Sequence, residues 1–77
     1  MNVTIDLKTS TWKAQVMAWI NSSHFGDALI VLVPSSSQTF FITKWYEGKM
    51  CCDWGSESGW EWIKTEEVIP KLQSIQQ

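Results

Sequence analysis

Six consecutive residues, Ala28–Val33 (ALIVLV), carry no polar side chain, and the run stops at Pro34. A short branched apolar run closed by proline reads as a central strand buried on both faces, so the chain must build a sheet around it. Pro34-Ser35-Ser36-Ser37 supplies a turn. Gln38–Tyr46, rich in Phe, Ile, Thr, Trp and Tyr, returns as a second strand. Glu47-Gly48 then closes a hairpin onto residues 49–54, the Gly-Ser-Glu-Ser-Gly stretch 55–59 is a connection, and residues 60–63 add a short edge strand.

Upstream, Val3, Ile5 and Leu7 alternate with Thr4, Asp6 and Lys8, the period of a strand with one wet face, predicted over residues 2–8. Trp12, Val16, Trp19 and Ile20 follow at helical spacing and predict a helix over residues 11–22, with Met17 also turned inward. Thr9, Ser10 and Thr11 offer hydroxyls to cap it. At the other end, Thr65 is placed to cap a last helix carrying Val68, Leu72 and Ile75 on one side. Pro70 interrupts that segment: either a tight turn covers residues 65–69 and the helix starts at the proline, or the helix is kinked there.

The order β-α-β-β-β-(β)-α defines an α+β fold class: a single small two-layer domain over residues 1–77, with a mainly antiparallel sheet of four to five strands and two helices packed on it. The first strand is expected to run parallel to Ala28–Val33 through the helix between them. From that helix onward the order is similar to the α-β-β-β-α arrangement of double-stranded RNA-binding domains. The likeness is one of order alone, since Thr65-Glu66-Glu67 is acidic where that family starts its last helix with lysines, and no kinship follows from it.

Seventy-seven residues bury a small share of their surface, so each large side chain must count toward the core. Six tryptophans answer that need, four of them within residues 43–62. The net charge is −2, with six lysines and no arginine. Without the guanidinium that most often reads guanine and clamps phosphate, nucleic-acid binding is disfavoured; it would require Lys8, Lys13, Lys44 and Lys49 to converge on one face. No apolar stretch approaches the roughly 18 residues of a membrane span, and MNVTIDLK lacks the pattern of a secretory leader, so a cytoplasmic location and no membrane partner are expected.

Residue types that carry chemistry are sparse. Cys51 and Cys52 are adjacent, which in a strand sends their side chains to opposite faces and keeps them from pairing. With one histidine, His24, and no Cys-x-x-Cys spacing, neither a zinc site nor a cysteine–histidine pair is expected. The acids Glu47, Asp53, Glu57 and Glu61 read as a solvated rim, and no glycine pattern leads into a helix as phosphate binding requires. No catalytic residue, metal or cofactor is expected.

The hairpin register decides which aromatics leave the core. A three-residue Tyr46-Glu47-Gly48 loop pairs Trp45 with Lys49; it groups Phe40, Ile42, Met50, Cys52 and Trp54 on one face and Phe41, Thr43, Trp45, Lys49, Cys51 and Asp53 on the other. A two-residue Glu47-Gly48 turn pairs Tyr46 with Lys49 and moves Phe41, Trp45, Met50, Cys52 and Trp54 onto one face. Either way, aromatic surface is left over if the helices cover one face only. That expectation points to a small non-enzymatic protein-binding domain, of the inhibitor or adaptor type that phages and mobile elements often encode, acting through an acidic, aromatic sheet face. Its partner would be another protein, basic in character, or a second copy forming a homodimer. The partner-binding residues expected are Phe41, Trp45, Asp53, Glu57, Trp60 and Trp62. The competing reading is a small-ligand binder or small enzyme with a tryptophan-lined pocket, for which a closed apolar cavity at Trp19, Trp54 or His24 would be the sign.

Overall fold

The computed structural model describes residues 2–46, 48–53 and 59–75. Along it run β1 (Val3–Asp6), α1 (Trp12–Ser22), β2 (Ala28–Val33), β3 (Gln38–Tyr46), β4 (Lys49–Asp53), β5 (Trp60–Lys64), a 3₁₀ turn (Thr65–Glu67) and α2 (Val68–Ile75). The five strands form one sheet in chain order, β1-β2-β3-β4-β5. β1 is parallel to β2, as a strand returning through a helix must be, and the other three pairings are antiparallel. This is the α+β arrangement expected from the element order.

Both helices pack on the same face. Trp12, Val16, Trp19 and Ile20 of α1 and Val68 and Leu72 of α2 join one continuous core with the inward residues of all five strands, from Ile5 through Leu29, Phe40 and Met50 to Ile63. α1 is bounded differently at its two ends. Its first turn has no hydroxyl cap: Thr11 instead accepts a bond at Oγ1 from Gln15 Nε2 at 3.1 Å, so the expected capping by residues 9–11 is not what the chain does. Its last turn is held by Lys44, whose ammonium reaches from β3 to the carbonyls of Ile20 (3.0 Å) and Ser23 (3.2 Å). A cation there also meets the negative end of the helix dipole.

Four local expectations are corrected. Met17 is 46% exposed, because the buried stripe 12, 16, 19, 20 leaves position 17 beyond its margin. β2 is buried on one face only: Leu29, Val31 and Val33 point to the helices, whereas Ile30 is half-buried and Leu32 exposed on a face that no helix covers. It is an inner strand, but the middle of the sheet is β3. Finally, Thr65 does not cap the last helix. It opens the 3₁₀ turn, and the Glu67 carboxylate accepts the Lys64 N–H at 3.0 Å. α2 therefore starts at Val68, and Pro70 falls in its first turn, where a missing N–H breaks no helical bond.

Candidate functional site

The helix-free face is built by alternation. With Ile42, Met50, Cys52 and Ile63 committed to the core, their strand neighbours Phe41, Thr43, Cys51, Asp53, Trp60 and Trp62 must point the other way. The ladder then lines them up across strands. One row runs Ile30, Phe41, Asp53, Trp60; the next runs Ala28, Thr43, Cys51, Trp62.

A bulge completes the face. From Phe41–Asp53 to Lys44–Met50 the ladder keeps the register of the three-residue loop, yet at the tip Tyr46, and not Trp45, pairs with Lys49. The shift lies between Lys44 and Tyr46, so each of the two expected hairpin registers holds in one part of the same hairpin. Gly48 has φ +77°, the left-handed conformation that favours glycine at such a turn. Because an extra residue interrupts the alternation, Trp45 and Tyr46 both reach the open face and both meet Trp62. Trp45 contacts it edge-on at 6.3 Å between ring centroids and 61° between planes, and Tyr46 lies tilted at 5.9 Å and 37°.

The result is a contiguous exposed aromatic surface. Phe41 is 40% exposed, and Trp45, Tyr46, Trp60 and Trp62 are each more than half exposed. Between them is an open, apolar hollow of about 290 Å³ lined by Thr43, Trp45, Cys51 and Trp60. Cys51 forms its floor and is itself buried; desolvation, with the nearby Asp53 charge, pushes its thiol above the ordinary value. That is the reverse of what activates a cysteine nucleophile.

Of the six residues expected to bind a partner, Phe41, Trp45, Asp53, Trp60 and Trp62 come together on this face, and Glu57 lies outside the described residues. So do Trp54 and Glu47. Sequence reasoning left out Tyr46, whose presence on the face follows from the bulge, and Lys64, which pairs with Lys49 at the turn end. The acidic surround is also thinner than expected. Glu61 is in register with the core residue Cys52, faces the helices and bridges to Lys71 of α2 at 3.1 Å. Among the described residues, Asp53 is the acid between the aromatics, and Lys49 and Lys64 stand at the opposite end.

The remaining candidates are placed elsewhere. His24 is in the loop after α1 with its side chain 89% exposed; its backbone N–H donates to Asp27 Oδ2 at 2.7 Å, a bond that holds the Asp27 carboxyl below its usual range. Trp19 is packed in the core. The lysines do not converge: Lys44 serves the end of α1, Lys13 lies over the Trp12 ring at 5.8 Å, and Lys49 is on the open face. Among the described residues no three His, Cys, Asp or Glu side chains gather as a metal site would need, and no helix is long and apolar enough to cross a membrane. Comparison with family models, curated proteins and solved structures finds no match to the chain, so its function has to be argued from the site.

Proposed function

We propose that this chain is a small non-enzymatic protein-binding domain, of the inhibitor or adaptor type, that acts through the open face of its sheet. One observation carries the reading: five aromatic side chains stand half exposed, side by side, on a face that neither helix covers. Apolar patches beyond a few hundred Å² are uncommon on monomers without an interaction role, and Trp and Tyr are the residues that concentrate binding energy at protein interfaces. In this reading Phe41, Trp45, Trp60 and Trp62 are the anchors. Asp53 at one end and Lys49 with Lys64 at the other give the face a direction, so a partner is oriented by charge as well as held by apolar contact. Two free cysteines, both buried, suit a reducing cytoplasm.

The ligand-binding reading asked for a closed cavity. What supports the protein-binding reading over it is that the hollow beside Trp45 and Trp60 is open, while Trp19 is in the core and His24 in solvent. The test is the double substitution Trp45→Ala/Trp60→Ala. Both side chains are exposed, so far-ultraviolet circular dichroism should be unchanged while association in sedimentation velocity, with itself or with a protein from the source cell, is lost. Association that survives both substitutions overturns the reading.

A further inference from the structure

The outward residues of β4 read Lys49, Cys51, Asp53: positive, neutral, negative, symmetric about Cys51. The row through Cys51 continues to Thr43 on β3 and Trp62 on β5. On β3 it has Trp45 on the turn side and Phe41 on the other; on β5 it has Lys64 and Trp60. We propose that the occupant of this face is a second copy of the same chain, packed face to face with its strands antiparallel, about a two-fold axis that runs along the Thr43-Cys51-Trp62 row. The proposal rests on the protein-binding reading of the same face and names its partner.

A half-turn about that row reverses the strand direction and leaves each strand over its own counterpart. Lys49 of one copy then faces Asp53 of the other, Lys64 faces the Trp60 ring and Trp45 faces Phe41, and each pairing occurs twice. The first is an ion pair, the second a cation over an indole and the third an aromatic contact. The alternative half-turn, about an axis along the strands, sets Lys49 against Lys49 and Asp53 against Asp53, and like-charge contact disfavours it. One orientation is thus selected by charge alone.

The area agrees. At the exposures observed, the five aromatics present about 500 Å² per copy, taking about 200 Å² for each whole side chain. A standard interface buries about 800 Å² per partner, and in homodimers about 65% of it is apolar, which is again about 500 Å². Among the described residues, the aromatic face therefore has the size of one dimer interface.

The test uses the full chain in sedimentation velocity over a concentration series, with circular dichroism as the control for folding. Wild type should dimerise. Lys49→Asp and Asp53→Lys should each weaken self-association about a hundredfold or more, because each creates two like-charge contacts. An equimolar mixture of the two single variants should regain dimers, and so should the double variant Lys49→Asp/Asp53→Lys. If Asp53→Lys does not fold, position replaces charge: Thr43→Cys, on the axis, should cross-link to its copy through a short bismaleimide, and Lys49→Cys should not. A monomeric wild type, a mixture that fails to associate, or cross-linking at 49 in preference to 43 overturns the proposal. Should wild type be monomeric yet bind another protein that Trp45→Ala/Trp60→Ala no longer binds, the second copy is ruled out and the protein-binding face stands.

Discussion

Cys51 and Cys52 differ by one step along a strand and by the whole thickness of the sheet. Cys51 floors the aromatic hollow, whereas Cys52 is fully buried among core residues, where desolvation above all pushes its thiol from 9.0 up to about 12. A raised folded-state value means that the folded chain holds a proton the unfolded chain gives up. The resulting stability is fully present below about pH 9 and drains away as pH rises from there through about 12. Cys52→Ala should therefore start less stable at pH 8, from the cavity it leaves, but decline less steeply between pH 8 and pH 10.5 in urea unfolding. Parallel declines for the two proteins would reject this account. The opposite placement of the two thiols was legible in the sequence, because adjacency in a strand settles it. The bonding of Trp19 was not: its indole N–H is buried without a hydrogen-bond partner among the described residues, and no periodicity signals where one buried donor will end up.

Among the elements, those with a clean period were readable and those that depend on a distant partner were not. Ala28–Val33 and Gln38–Tyr46 have the bounds expected from composition, and the α1 stripe of Trp12, Val16, Trp19 and Ile20 is the buried one. Met17 was misplaced because the width of a buried stripe depends on what it packs against. The apolar run of β2 suggested two covered faces, but a run of Ile, Val and Leu suits a strand whose outer side is only partly exposed just as well. The hairpin was ambiguous for a better reason. Two registers competed, and the bulge at Trp45 satisfies both, keeping Met50 and Cys52 inside while closing the turn on Tyr46 and Lys49. Nor could local sequence show that Lys44 would close α1 from another element. Lys44→Met keeps the aliphatic stem but leaves the Ile20 and Ser23 carbonyls without their cation. It should lower stability by about 1–2 kcal/mol in urea unfolding. A loss near zero would mean that water serves those carbonyls equally well.

For the whole molecule, the decisive fact was the side on which the helices lie, and that is set by connections and packing, not by the residues of the face itself. The aromatic character of the 38–62 segment was plain in the sequence, and so were most of the residues that form the open face. Whether they would be core or surface was not, because tryptophan serves a small core and a binding surface for the same reason, its large apolar area. The charge pattern needed coordinates too: Glu61 belongs to the α2 side and Lys49 and Lys64 to the open one, so the face carries both signs where composition suggested one. Among the described tryptophans, this sorting also gives two sets of optical reporters. Trp12 and Trp19 are shielded from solvent in the core, and Trp45, Trp60 and Trp62 are on the open side. Indole emission moves to shorter wavelength when water is excluded, so raising the concentration of folded protein should blue-shift the spectrum and protect the outer three from acrylamide. Denaturant should red-shift it through the inner two. Assembly and unfolding would then be followed in one cuvette, without a label, as displacements of opposite sign.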